Sequence, residues 1–343
     1  MIRFKILQPR VMATDVITAF HEFMKSSINL DSEVSKTAKK SRDWLIDRIH
    51  GFPGNDATFP KLYEEKDVFF GSFERKTKRR PLDDIDLMAC LSADGAYYST
   101  SWNGTVYLRE PNQGSPLRDL LFDDGVTINS RRVVNKFKDA LSGIPQYQKA
   151  DIKRKGEAAT LKLTSYDWVF DIVPCFFTKP DSAGKTYYII PDGDGNWKMT
   201  DPTIDRARVQ RLTALRGKEI LDVIRLVKFW NCRPTMPTMG SYLLENMILD
   251  YYESNLPLGF PDLNFKNVLN YIKTAIYNPV NDPKGIQGDL NKLDLFDRIK
   301  IAVRCSTDHL KCVEASDLEQ AKEQKRAIAK WAEVFGDTFP FYG

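Results

Sequence analysis

Histidine is scarce in this chain, with three among 343 residues. His21 and His50 suggest no serine or cysteine triad, so nucleophilic catalysis of that kind finds no support. The five cysteines, Cys90, Cys175, Cys232, Cys305 and Cys312, are scattered and odd in number. That argues against a disulfide framework and fits a reducing cytoplasm, the expected location. Long apolar runs are missing too. The stretch around Val223–Trp230 is interrupted by Arg225 and Lys228, so nothing reaches the length of a membrane span and no membrane partner is expected. The first fifteen residues lack a basic segment leading into an apolar stretch and a small-residue cleavage site, so no signal peptide is expected. Charge of one sign is lacking as well: the net charge is +4. That is too small for wrapping a long nucleic acid, and no stable nucleic-acid partner is expected. It still allows positive potential to be focused into one cleft that attracts a triphosphate.

What is present is a globular chain of 42% hydrophobic and 28% charged residues, without repeats or low-complexity segments. Two helical stretches open it. Ile17, Phe20 and Met24 share a face within residues 14–26, and Val34, Ala38, Leu45 and Ile49 recur at helical spacing. After a Gly/Pro-rich break at residues 51–60, strand-like runs follow at 67–70, 85–91, 106–109, 158–163 and 168–177. A helix is expected over Ser130–Leu141, capped by Asn129 or Ser130 and stopped by Gly143. Residues 187–191 and 197–199 flank a Gly/Asp turn and read as a hairpin. From about Thr203 the pattern turns helical, with long segments near 220–230, 242–253 and 265–277. The capping box Ser316-Asp-Leu-Glu319 predicts the start of a final helix that runs to about Phe335.

The chemistry sits in Phe69-Phe-Gly-Ser-Phe-Glu-Arg-Lys-Thr-Lys-Arg-Arg-Pro-Leu-Asp-Asp-Ile-Asp-Leu-Met88. Two apolar residues lead into Gly71-Ser72, and Asp84-Ile85-Asp86 follows. Aspartates two apart on a strand point to the same side. Such a pair repels unless cations lie between them, and hard oxygen ligands with room for phosphates suit magnesium. Two such ions can stabilise both the attacking and the leaving oxygen of an in-line displacement. Gly71 lets the backbone approach a phosphate, and Ser72 adds an N–H and a hydroxyl. A third carboxylate, Asp171, interrupts the otherwise apolar run Trp168-Val-Phe-Asp-Ile-Val-Pro-Cys175. Burying it alone would be costly, so a metal or a hydrogen-bonded structural role must offset the cost, and the upstream pair favours the metal. Asp83 lies outside the alternation and is expected to point away.

Other signals carry less. Asp192-Gly-Asp-Gly-Asn196 begins like a calcium loop, but Trp197 and Thr203 stand where glycine and glutamate are needed, so a hairpin turn is expected. Cys305, His309 and Cys312 could face one way on a helix, yet no paired C-x-x-C accompanies them, and zinc is not favoured. Lys76, Lys78, Arg79 and Arg80 form either a solvated loop or a phosphate contact. Lys228 interrupts an apolar helix face, as a snorkelling side chain would.

The chain resembles the DNA-polymerase-β-like nucleotidyltransferases, and more narrowly the CD-NTases, bacterial relatives of cyclic GMP-AMP synthase and oligoadenylate synthase. The resemblance rests on GSFERKTKRRPLDDIDL, FDIVP, IIPDGDGNWKMTDP, LVKFWN and SYLLE, with a weaker echo at Asn281-Asp-Pro283. It implies a mixed α/β (α+β) nucleotidyltransferase lobe with a long N-terminal helix over residues 1–215. An all-helical lobe with a short extended tail would span 216–343, with the active site in the cleft between them. It implies that Asp84, Asp86 and Asp171 hold two Mg2+ ions, with Mn2+ as a substitute. Ser72 with Gly71 would hold the triphosphate, and Lys228 and Ser241 would contact it from helices.

The implied reaction joins nucleoside triphosphates into a cyclic di- or trinucleotide and releases pyrophosphate, within the CBASS anti-phage system. The competing expectations are a nucleotidyltransferase acting on a tRNA end or a protein side chain, as in toxin–antitoxin pairs, and a silent nucleotide-binding module. The family also implies a ubiquitin-conjugation-like operon partner acting on a C-terminal small residue, here Gly343. Pro340 cannot continue a helix, so this tail is expected to be extended and mobile.

Overall fold

The computed structural model describes residues 11–234 and 237–343. The reading of the chain's start as leaderless therefore concerns mostly residues outside those described. Strands are β1 (Met12–Ala13), β2 (Val68–Phe70), β3 (Asp84–Leu91), β4 (Tyr97–Thr100), β5 (Val106–Arg109), β6 (Asp151–Lys155), β7 (Ala158–Lys162), β8 (Val169–Phe177), β9 (Tyr188–Pro191), β10 (Trp197–Thr200) and β11 (Phe341–Tyr342). Helices are α1 (Val16–Phe23), α2 (Ser32–His50), α3 (Phe52–Asn55), α4 (Gly71–Glu74), α5 (Ser130–Ser142), α6 (Pro202–Arg216), α7 (Glu219–Asn231), α8 (Ser241–Ser254), α9 (Pro261–Ala275), α10 (Leu295–Gln320) and α11 (Gln324–Phe335). The chain divides into two compact units. One comprises residues 32–76 and 81–207, and the other comprises the residues through Asp31, Thr77–Arg80 and Arg208–Gly343.

The first unit is built on a nine-stranded sheet of order β2-β3-β8-β9-β10-β5-β4, with β7 added to β8 and β6 to β7. Only β3 and β8 run parallel, and they pair along their length from Asp84↔Val169 to Leu91↔Phe176. Their far ends read as continuous apolar sequence because Met88–Leu91 and Ile172–Phe176 are buried on both faces. Helix α5 packs on β6–β9 through Val133, Val134, Phe137 and Leu141. Asn129 caps it, its side chain accepting from the N–H groups of Arg131 and Arg132. Helix α2 lies against β3 with a buried stripe of Ala38, Arg42, Leu45 and Ile49. The β9–β10 connection is a hairpin turn, with Asp192 N–H donating to the Asn196 carbonyl at 3.1 Å. Trp197 at its base is fully buried and donates its indole N–H to the Ile128 carbonyl at 2.9 Å.

The second unit is helical apart from one small sheet. Its core gathers Phe20, Phe23, Phe265, Trp331, Phe335 and Phe339, with Phe20 edge-on to Trp331 at 4.8 Å between ring centres. Two expectations are corrected here. The Ser316 box does not open a helix: α10 continues to Gln320, and Ser316 donates back to the Cys312 carbonyl at 3.0 Å inside it. The break comes later, at Lys322, which has φ +64°, and α11 starts at Gln324. The tail is extended but held. β11 pairs parallel with β1, Phe341 N–H donates to the Val11 carbonyl at 3.1 Å, and Phe339 is buried beside Phe20. Cys305 and Cys312, weighed above as zinc ligands, are fully buried in this core, and burial raises both thiols. Among the described residues, no helix is long and apolar enough to cross a membrane.

Candidate active site

The parallel pairing of β3 with β8 sets the geometry. Asp86 and Asp171 are direct cross-strand partners, and Asp84, two residues before Asp86, stands on the same face. Ile85 and Leu87 alternate with them and are buried on the opposite face, while the three aspartates are half-buried. Asp83 precedes the strand and is exposed. Further along, the carboxylate face becomes an apolar cluster of Val68, Met88, Cys90, Val173, Cys175 and Tyr188. Burial there pushes the Cys175 thiol well up.

The Gly-Ser turn approaches the same carboxylates. Strand β2 runs antiparallel to β3 and places Phe70 opposite Asp86, so Gly71 follows directly alongside. Gly71 has φ +74°, and a Cβ built on it would stand 1.8 Å from Asp86 Oδ2. No side chain fits, and the turn lies directly against the carboxylate. Ser72 is half-buried in the four-residue helix α4.

Sequence reasoning missed what anchors this turn. Arg42 of α2 is buried, donates from Nη1 to Glu74 Oε2 at 2.9 Å, and lays its guanidinium over the Phe69 ring at 3.7 Å. The signal was available: Arg42 falls in the stripe Ala38, Arg42, Leu45, Ile49, where an apolar residue belongs. Asp67 provides a second tie. It accepts from Cys90 N–H at 2.7 Å and pairs with His50 of α2 at 2.7 Å, while burial raises its carboxyl.

The residues assigned to helices lie in the helical unit. Lys228 of α7 is buried and donates to Glu245 Oε2 of α8 at 2.6 Å, and the Thr77 hydroxyl donates to the same oxygen at 2.9 Å. Ser241 is the exposed first residue of α8. Its neighbour Tyr242 donates to Asp282 Oδ1 at 3.1 Å, which also receives Lys284 at 3.1 Å, so the Asn281-Asp-Pro283 echo marks a buried polar cluster. Of the basic run, Arg80 is committed to main chain, donating to the Asn29 carbonyl at 2.9 Å. Gly343 donates its N–H to the Ala13 carbonyl at 3.3 Å, beside Met12. Among the described residues, no three His, Cys, Asp or Glu side chains already form a metal-holding cluster. The donor chemistry of Asp84, Asp86 and Asp171 on one face still suits a hard divalent cation.

No protein-family model matches the chain. A Bacillus cereus (strain VD146) protein named as a probable cyclic nucleotide synthase is 46% identical over 328 residues, which is 94% of this chain and 97% of that protein. Among solved structures, Escherichia coli MS115-1 CdnC, in complex with HORMA-deltaN, superposes with a TM-score of 0.69 at 15% identity, covering 95% of this chain and 98% of that one. Escherichia coli DncV bound to 3′-deoxy GTP gives 0.63 at 14% identity, covering 92% and 94%. The fold is thus the one those two proteins share, and the likeness to the Bacillus protein runs over almost the whole of both chains. On that likeness and on the paired aspartates of β3 and β8, the chain belongs to the CD-NTase family of nucleotidyltransferases.

Proposed function

We propose that this chain joins nucleoside triphosphates into a cyclic di- or trinucleotide second messenger of bacterial anti-phage defence. The observation that supports this reading most directly is the pairing of Asp86 with Asp171 on adjacent parallel strands, with Asp84 on the same face and Gly71 packed against Asp86. Two Mg2+ ions, with Mn2+ as a substitute, would be held by Asp84, Asp86 and Asp171 and would neutralise charge developing on the phosphates. Gly71 and Ser72 offer main-chain and hydroxyl donors to the triphosphate. Asp171 takes part in activating the attacking ribose hydroxyl, whose oxygen forms a bond to the α-phosphorus as the bond to pyrophosphate breaks. A second step of the same kind closes the ring. Positioning and electrostatics carry the rate, because this chemistry needs little covalent help. Lys228 and Ser241 belong to the proposal as triphosphate contacts, and a conjugation partner acting on Gly343 belongs to it as the device that primes the enzyme.

The test incubates the purified chain with the four NTPs and Mg2+ and searches for phosphatase-resistant products by mass spectrometry. A cyclic product is expected from the wild type. Asp84→Ala, Asp86→Ala and Asp171→Asn should give none while keeping their melting temperatures. Wild-type turnover by any of the three would sink the mechanism. Labelling of a tRNA or a protein instead, with no small product, would replace the reading by that of a macromolecule-modifying transferase. For Gly343, co-expression with the neighbouring operon genes and intact-mass analysis should reveal a conjugate that Gly343→Glu abolishes. An unmodified terminus there would remove that element alone.

A further inference from the structure

We propose that α2, the turn after α5 and the β7–β8 connection form a second nucleotide site, apart from the three aspartates. Together they line a cavity of about 430 Å³, a size ordinary for a small-molecule site. Trp44, Tyr147 and Tyr166 give it aromatic surface, and Ser41 and Thr164 give it hydroxyls. Lys40 and Lys149 give it two cations, and no aspartate or glutamate among the described residues lines it. None of Asp84, Asp86, Asp171, Gly71 and Ser72 lines it either, so a nucleotide held here is separate from the reacting ones.

The aromatic wall is held in place. Tyr166 stacks on the buried Trp168 with ring centres 4.4 Å apart and planes 12° apart. Lys162 donates to the Tyr166 carbonyl at 2.8 Å and fixes the loop that carries it. Tyr166 itself stays half-buried, with Trp168 covering one face of its ring. Trp44 meets Tyr147 edge-on at 5.6 Å. Tyr147 is 4% exposed, yet its hydroxyl has no hydrogen-bond partner among the described residues. A buried hydroxyl without a partner costs stability, and an acceptor on a ligand would complete it. Lys40 and Lys149 are exposed and form no ion pair with a described residue. Two such cations, with no acid in the wall, select an anion. Aromatic surface suits a planar ring, the hydroxyls suit a sugar and the lysines suit a phosphate, a combination that fits a nucleotide better than a simple anion or an apolar molecule. That the ring is a nucleobase rests on the reading of this chain as a nucleotidyltransferase.

Isothermal titration of the full chain with AMP or GMP in EDTA tests this. Saturable binding is expected, with adenosine held at least about 10-fold more weakly than AMP because it lacks the phosphate. Tyr166→Ala should weaken AMP binding at least about 10-fold through loss of stacking. Lys40→Gln combined with Lys149→Gln should lower AMP to the affinity of adenosine, at an unchanged melting temperature. A photo-reactive azido-AMP should label the peptides that carry Trp44, Tyr147 or Tyr166. Absence of AMP and GMP binding at millimolar concentration overturns the proposal. So does an affinity indifferent to both Tyr166→Ala and the lysine pair, or labelling confined to the peptides of the aspartate face. Binding without Mg2+ involves no turnover, so this outcome is separate from that of the synthesis test.

Discussion

Gly71 meets two demands at once: its backbone is left-handed, and its missing Cβ leaves the Asp86 carboxylate its place. Gly71→Ala should therefore cost about 1 kcal/mol of backbone strain and also push Asp86 aside. The expected outcome is loss of nucleotide synthesis by at least about 100-fold with a melting temperature only slightly lower. Near-normal synthesis by this variant would mean that the turn does not position the carboxylate. Lys228 makes a different case. Glu245 is 2% exposed in side-chain terms and shares an oxygen with Lys228 and Thr77. Lys228→Ala leaves that carboxylate with one cationic partner fewer and should destabilise the chain by roughly 3–5 kcal/mol. Urea denaturation checks this, and Lys228→Met with Glu245→Gln should recover a large part of the loss. NTP binding by the folded Lys228→Ala variant should weaken as well, as the proposed triphosphate contact requires, and unchanged binding would leave Lys228 a stabilising role alone.

At the scale of elements, what the sequence revealed followed periodicity. Strands β3 and β8 were legible because aspartates interrupt apolar runs at a spacing that only a strand turns into one shared face. Helix α5 was legible from both ends, Asn129 and Gly143, as well as from its apolar stripe. Asn129→Ala should accordingly cost about 1 kcal/mol, read as a lower melting temperature, because two N–H groups of α5 lose their acceptor. Elements went unread where periodicity was silent. Strand β6, Asp-Ile-Lys-Arg-Lys, is an edge strand with one apolar residue, and only its pairing with β7 makes it a strand. Ser316 misled for the opposite reason. The local box was correct chemistry, but Ala315 and Ser316 are buried along the continuing face of α10, and tertiary burial overrode the local stop.

At the scale of the whole chain, an apolar stripe says that a face is buried without saying against what. Helix α1 and the tail illustrate this: both lie far from α11 in sequence or beyond its end, yet Phe20 and Phe339 meet there within one aromatic cluster. The chain's response to acid is summed over such distant sites, and its sign can be worked out. Asp15 is held low by the Thr18 N–H, and Asp56 is held at about 2 by hydrogen bonds from Lys136 and Thr58. Asp124 is held low by the Thr127 and Val126 N–H groups, Asp181 by that of Lys185, and Asp289 by those of Asn291 and Val280. Each has a folded pKa below its unfolded one. Its contribution is present above the ordinary carboxylate value and is lost as pH falls through the folded value. Asp67 and Asp262, raised by burial, act in the opposite sense: their contribution is largest below the ordinary value and is lost as pH rises through their raised ones. The lowered group is larger and spread across the chain, so it should govern the acid limb. The melting temperature should stay level from neutrality down to about pH 5 and fall between about pH 4 and 2. Asp56→Asn should make that fall shallower. A melting temperature that holds or rises through this window would mean that the hydrogen bonds to these carboxylates are not maintained in solution.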